Sequence, residues 1–432
     1  MPNSSLEMFN AGVDAYVKSD NTQPVDHLIK SFIVEHPYSW HGFRGIASVL
    51  ESEGDLEAAK ECFKGNFPDY VQKRFFDEDV NQLIDNAFQC EIIDAHARTT
   101  VTPKSAAVHS THCIRGYIEK ALTSAPTSVQ RYENVNLWFD GFNTVVMNKQ
   151  GRVDKTSLNG NAAPAVQAAK LLDANHIKGK VVLLGCRGSN NYYHWMTDLL
   201  PQLEVLRKAG ISTDKNTRFV FSNVFQNFKP QTLNHFGISD DQIYSTNRSG
   251  SHIQADELII PVLSNFMGLT MGAWLPSFLK KSFGISTDVP QTRKLLVTRN
   301  AESSHGRGIL NLDEFNKYFI DQGYELVLPE NYTVMQQAQL FSEASHVAGP
   351  HGAGLTNIAF CSPGTSVHEF YGPHIAPCYW AISELSGLNY YNYDCSFQEI
   401  EGMSAFEKEK SLDSRRSSSF SIDLSAVNSD NI

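Results

Sequence analysis

Two stretches of this chain carry residue types whose spacing could do chemistry. In the first, Asn190-Asn191-Tyr192-Tyr193-His194-Trp195-Met196-Thr197-Asp198-Leu199-Leu200-Pro201, a histidine and an aspartate stand at i and i+4. On a helix that spacing puts His194 and Asp198 on one face. A carboxylate beside a histidine fixes its tautomer and raises its basicity, as a general base requires. A capping histidine with a structural aspartate is the other reading. Ser189 or Asn190 is placed to cap the helix. Trp195, Leu199, Leu203 and Leu206 would form its buried stripe. Pro201 should kink the helix or begin its regular part.

The second stretch, 345–371, reads as a strand at 346–348, a glycine-rich turn at 349–354, a helical segment from Leu355, a Pro363-Gly364 turn and a strand at 365–371. Gly349, Gly352 and Gly354 permit positive φ and close backbone approach. A helix starting after them would aim free N–H groups and its positive dipole end into the turn, a setting for an anion such as phosphate. His351 could donate to a phosphate or to a sugar hydroxyl. Glu369 would stand near the carboxyl end of the next strand, where open α/β sheets bind ligands. The third position of a dinucleotide fingerprint holds Asn357, which disfavours a nicotinamide cofactor. Upstream, Arg299 closes a strand at 294–299 and Arg307 follows in the loop 303–308. Two arginines at one sheet edge could neutralise a diphosphate through forked hydrogen bonds; solvated surface arginines are the alternative.

The elements that must position these residues follow from the wider pattern. From Val181 the chain alternates strands (181–185, 217–222, 257–261) with helices (191–208, 229–236, 273–283). A second run pairs strands at 294–299, 324–328, 346–348, 365–371 and 390–393 with helices at 312–322, 333–343 and 377–385. Such alternation predicts an α/β fold with parallel sheets and crossover helices, here two Rossmann-like domains, 91–288 and 289–400, facing one cleft. Within 91–180 the stretch 137–147 predicts two short strands about Asp140-Gly141. Residues 1–90 read as helical, with a helix–turn–helix about Gly54-Asp55 that resembles one tetratricopeptide hairpin, Ala59 and Phe63 at the packing positions. That region is either a cap on the main body or a surface for a protein or peripheral membrane partner. Residues 401–432, rich in serine and mixed charge, predict a disordered tail.

Composition bounds the rest. Lys+Arg 36 against Asp+Glu 47 gives a net charge of −11, which disfavours broad nucleic-acid binding. Seven cysteines without a C-x-x-C pair suggest free thiols rather than a zinc ribbon or a disulfide framework. His109 and His112 lack an evident third metal ligand. Neither a signal pattern nor a membrane-length apolar run occurs, so the expectation is a cytoplasmic protein, peripheral at the inner membrane face at most.

The blocks Asn191-Tyr192-Tyr193-His194-Trp195-x-x-Asp198, Arg299, Arg307-x-x-x-Asn311 and Gly349-Pro350-His351-Gly352-Ala353-Gly354-Leu355-Thr356-Asn357, with Pro363-Gly364 and a strand carrying Glu369, together resemble glycosyltransferase family 61 over residues 180–395. The chain departs from the family at Leu312, where Glu is common; Asp313 is the acid that could replace it. The resemblance implies a GT-B architecture, with a nucleotide-sugar donor held mainly by the C-terminal domain, and an inverting reaction. His194, with Asp198, would be the base; Asn191 and Tyr193 would lie on the acceptor side. Arg299, Arg307 and the turn Gly349, His351, Gly352, Ala353, Gly354, Leu355, Thr356 and Asn357 would hold the donor, with Glu369 on its ribose. The expected reaction moves a hexose or pentose from a UDP-linked donor to a glycan or glycoconjugate hydroxyl, in bacterial surface polysaccharide synthesis. It would need no cofactor or metal, since no Asp-x-Asp sits beside a strand. A non-catalytic sugar-nucleotide-binding or scaffold protein is the runner-up.

Overall fold

A computed structural model describes residues 4–18, 25–35, 40–63, 67–76, 83–85, 88–103, 121–139, 144–157, 174–186, 188–222, 224–246, 251–263, 268–286, 288–298, 309–372, 374–394 and 420–427. His109, His112, Asp140-Gly141, Arg299 and Arg307 lie outside these residues.

Among the described residues five helices open the chain: Ser4–Lys18, Val25–Glu35, Trp40–Ser52, Leu56–Phe63 and Asp69–Phe75. The turn expected at Gly54 is present, with Gly54 at φ +87°, a conformation that only glycine adopts without strain. Ala59 is fully buried between the helices, and Phe9 stacks on Phe32 at 3.9 Å. Their apolar cluster also takes in Trp138, Val145, Met147 and Val153 of the first sheet. The helices therefore pack on that sheet's face. Arg74 ties them together from the side, reaching Asp26 at 2.8 Å and Glu53 at 2.6 Å.

The strands are β1 (Ile84–Asp85), β2 (Glu91–His96), β3 (Thr100–Val101), β4 (Leu122–Thr123), β5 (Thr127–Phe139), β6 (Thr144–Met147), β7 (Val153–Asp154), β8 (Asn175–Leu183), β9 (Arg218–Phe221), β10 (Ile243–Ser245), β11 (Ser251–Val262), β12 (Arg293–Val297), β13 (Glu325–Val327), β14 (Ala344–Pro350), β15 (Ser366–Tyr371) and β16 (Asn389–Asp394). The first sheet runs β1-β7-β6-β5-β11-β8-β9-β10, with β2 also on β5, while β3 and β4 pair separately. It is mixed rather than Rossmann-like throughout. β11, β8, β9 and β10 are mutually parallel, whereas β5 pairs antiparallel with β11, β2 and β6. Among the described residues of 91–180, β5, β6 and β7 follow one another as an antiparallel meander, which needs no crossover helix.

The second sheet is parallel, in the order β13-β12-β14-β15-β16. Strand order reverses between β12 and β14. At such a switch point the loops leaving neighbouring strands part and open a crevice at their carboxyl ends. One buried cluster joins the halves, running from Trp195 and Leu199 through Leu275 and Phe283 to Phe360 and Trp380. Together the sheets make a mixed α/β protein rich in parallel pairing.

The disordered tail expected at 401–432 is not what is found at its end. Phe420 bridges to Ile309, and Phe420, Ile422 and Val427 are buried against the second sheet's Phe315 and Phe370 side. Asn311 holds both backbone groups of Ile422, at 2.9 and 3.0 Å. Three apolar residues among many serines were enough to anchor this segment. Among the described residues no helix is long and apolar enough to cross a membrane.

Candidate active site

The stretch after β8 does not form one regular helix. Tyr192–His194 is a short α-helical turn, Trp195–Leu199 a π-turn, and Pro201–Lys208 a regular α-helix with Pro201 in its first turn. Proline lacks an N–H and its ring crowds the carbonyl four residues back, so the backbone widens just ahead of it. The wider turn closes through Leu200 N–H to Trp195 O at 2.9 Å. Gln202 donates to the Asp198 carbonyl that the irregularity leaves over, at 3.0 Å. The widening also shifts the stripe: Leu203 is only partly buried, and Val205 with Leu206 takes its place. The cap falls on Asn191, whose side chain accepts from Tyr193 N–H, rather than on Ser189 or Asn190.

His194 and Asp198 meet as their spacing predicts. Nδ1 of His194 lies 2.6 Å from Asp198 Oδ2, and Thr197 donates to Oδ1 at 2.7 Å. Their side chains are 40% and 14% exposed. With Nδ1 engaged, Nε2 is the nitrogen left for exchange. Gly188, unnoticed in the sequence, sits at φ +84°, and a Cβ there would come within 2.7 Å of His194 Cδ2. The imidazole is thus clamped between a carboxylate and a backbone that only glycine supplies.

On the other side β14 delivers the glycine turn. None of Gly349, Gly352 or Gly354 lies in the left-handed region; Gly352, at φ 174°, is simply extended. Their value lies in close approach. A Cβ on Gly349 would be 2.7 Å from Val297 O, and one on Gly354 would be 3.0 Å from Val297 and 3.1 Å from Pro329. The helical segment, a 3₁₀ turn over Ala353–Phe360, begins inside the turn rather than after it. Leu355, Thr356 and Asn357, within it, are buried.

Glu369, expected on a ribose, is held by protein groups. It is fully buried, one oxygen held by His351 Nδ1 and the other by the Tyr390 hydroxyl. The register explains the reach: Glu369 stands opposite Gly349, two residues before His351. Burial, then the nearby Glu369 charge, pushes the Tyr390 hydroxyl well above its ordinary range, so it stays a phenol and donates. Tyr390 also meets the Tyr371 hydroxyl at 3.2 Å, and Tyr371 donates to Ala376 O at 2.9 Å. Asp313, the acid offered in place of the family's Glu, is exposed in the first turn of Leu312–Asp321, and Asn311 serves the C-terminal segment.

Both groups line one cleft of about 1070 Å³ at the switch point. Asn191, Tyr193 and His194 form one wall; His351, Gly352, Ala353 and Gly354 face it. A ladder of rings crosses the gap, from His194 to Tyr193 (5.1 Å), Tyr193 to Tyr379 (5.8 Å) and Tyr379 to His351 (5.2 Å). Asp198, Gly349 and Glu369 stand behind the walls. Beneath Asn190 the fully buried Lys229 donates to Asn190 Oδ1 at 2.9 Å, its ammonium 5.2 Å from the Trp195 ring centre. Burial pushes its pKa down to about 8. Lys229, Gln337 and Tyr390 carried no motif signal; a lysine among Phe228 and Leu233 was the one hint, because an amphipathic face rarely buries an ammonium.

Comparisons with known proteins fall on the same stretch of chain. The family model Glycosyltransferase 61 matches residues 192–368, from the helix bearing His194 to the strand bearing Glu369. Among curated relatives, the EGF domain-specific O-linked N-acetylglucosamine transferase of Xenopus laevis is 29% identical over 119 residues, 25% of this chain and 22% of the relative. That of Mus musculus is 30% identical over 117 residues, 24% of this chain and 21% of the relative. The match thus spans about a fifth of those relatives' length. Residues 192–368 of this chain are a glycosyltransferase family 61 domain.

Proposed function

We propose that the chain is an inverting glycosyltransferase of GT-B type, with 91–288 as the acceptor-side unit and 289–400 as the unit that holds a UDP-linked sugar. His194 Nε2 takes the acceptor hydroxyl proton as that oxygen attacks the sugar's anomeric carbon, and Asp198 stabilises the imidazolium that forms. The bond from that carbon to the diphosphate breaks, and the electron pair leaves with the nucleotide. His351, the N–H groups opening at Gly352–Gly354, and Arg299 and Arg307 meet its charge. Glu369 is a positioning residue that fixes the His351 ring rather than a ribose ligand. The acceptor is a hydroxyl of a glycan or glycoconjugate, and residues 1–90 brace the acceptor-side sheet.

One observation carries this reading: two histidines, one held by a carboxylate on the helical turn after β8 and one by a carboxylate on β15, line one cleft. Thermal shift against UDP-linked sugars, UDP-N-acetylglucosamine first because the relatives are named for that sugar, tests it. A rise in melting temperature with a UDP-sugar and with UDP, followed by release of UDP on incubation with the donor, is expected. No shift across UDP-, GDP-, CDP- and ADP-linked donors would reject it.

A further inference from the structure

A polar chain runs from the cleft lining, where Tyr192 and Gln337 stand, through the buried Asn357, and joins three of the cleft's walls. The Tyr192 hydroxyl donates to Asn357 Oδ1 at 2.8 Å, across 165 residues of sequence. Asn357 Nδ2 donates to Gln337 Oε1 at 2.7 Å and to Gly354 O at 3.2 Å. Gln337 Nε2 in turn donates to Pro329 O at 2.9 Å and Tyr332 O at 3.1 Å. Tyr192 sits in the turn that carries His194, Gly354 closes the glycine turn that carries His351, and Pro329 and Tyr332 belong to the cleft wall after β13. Asn357 is fully buried and Gln337 nearly so.

The chemistry of the chain is directional. Each side-chain amide is used as donor and acceptor at once, so one amide orientation satisfies all the bonds and the reversed one breaks them. Buried amides with this many partners specify a single arrangement of what they join. The Tyr192 bond is also where the turn bearing the proposed base is fixed to the sheet bearing the proposed donor turn. The Tyr192 ring packs edge-on to Phe228 at 5.3 Å, so loss of the hydroxyl would leave the ring in place.

We infer that Tyr192, Asn357 and Gln337 are positioning residues for the transfer step, a register pin that sets His194 against the glycine turn. The inference rests on the glycosyltransferase reading. Its action is on turnover rather than on nucleotide affinity, because all five bonds run between protein groups and a misplaced base slows chemistry without unseating the donor.

The test is a double-mutant cycle on the full chain with Tyr192→Phe and Gln337→Met, with UDP-N-acetylglucosamine as donor probe and UDP release as readout, beside UDP affinity by calorimetry. Each single variant is expected to lose about tenfold in kcat with UDP affinity within about threefold of the unaltered chain. The double variant should lose no more than about twentyfold, since the two act through Asn357. Unchanged kcat in Tyr192→Phe, or a double loss near the product of the singles, would overturn the inference. Equal loss of kcat and UDP affinity would also overturn it, as the mark of a general structural role. Should Gln337→Met fail to fold, Tyr192→Phe alone decides through its kcat against UDP affinity. If the unaltered chain neither binds UDP nor releases it from the probe, the glycosyltransferase reading falls and takes the inference with it.

Discussion

The two histidine–carboxylate pairs of the cleft are built in opposite ways. His194 and Asp198 share one helical turn and are partly open, with the ring 40% exposed. His351, just past the end of β14, and Glu369, on the adjacent β15, are buried, at 7% and 0%. The open pair costs little to hold, and solvent can resupply its proton. The closed pair carries a carboxylate that is tolerable in the interior only because His351 and Tyr390 occupy both of its oxygens. The contrast suits a base that must exchange a proton on every cycle facing a fixed ring that must not move. Proximity of a histidine to a carboxylate does not therefore define one role; burial and the second partner of the carboxylate do.

The largest expected effect lies in the open pair. His194→Ala should lower kcat by about 10²–10⁴ with UDP affinity unchanged, measured by UDP release and calorimetry. The closed pair should respond in stability instead. Glu369→Gln is expected to cost about 3 kcal/mol of unfolding free energy, because it leaves a buried partner uncompensated, whereas Asp198→Asn should cost under about 1 kcal/mol while slowing turnover; urea unfolding of both variants reads the difference. Equal destabilisation by the two would erase the distinction. Gly188→Ala should move His194, with a loss of about 1–3 kcal/mol from positive φ and overpacking, and turnover should fall further than stability alone explains.

A separate, pH-dependent effect is expected at Lys229. Its folded pKa of about 8 lies below the ordinary lysine value of 10.5. Between those values the unfolded chain binds more protons, so stability should rise with pH from about 8 to about 10.5, by on the order of 1 kcal/mol per pH unit. Below pH 8 both states are protonated and the contribution is flat at its least favourable. Lys229→Met should abolish that rise, as read by chemical unfolding at pH 7.5 and 10.

What was legible in the sequence was local. The i,i+4 spacing of His194 and Asp198 survives even the π-turn before Pro201, and strand–helix alternation gave the parallel part of both sheets. Pairings between distant segments were not legible. Glu369 as the partner of His351 depends on the β14–β15 register, and Asn357 as the partner of Tyr192 depends on how two sheets meet. The glycines were rightly placed, yet for close approach to Val297 and Pro329 rather than for positive φ, because a glycine in sequence does not say which of its two freedoms is used. The docked residues 420–427 were masked by the serine-rich run before them, since composition averages over a window while Phe420 and Ile422 act singly.

The most direct measurement compares His194→Ala with His351→Ala for UDP release from UDP-N-acetylglucosamine and for UDP affinity. The account predicts that His194→Ala loses turnover and keeps UDP affinity, while His351→Ala loses UDP affinity by about tenfold or more. Full turnover in His194→Ala, or unchanged UDP affinity in His351→Ala, would contradict it.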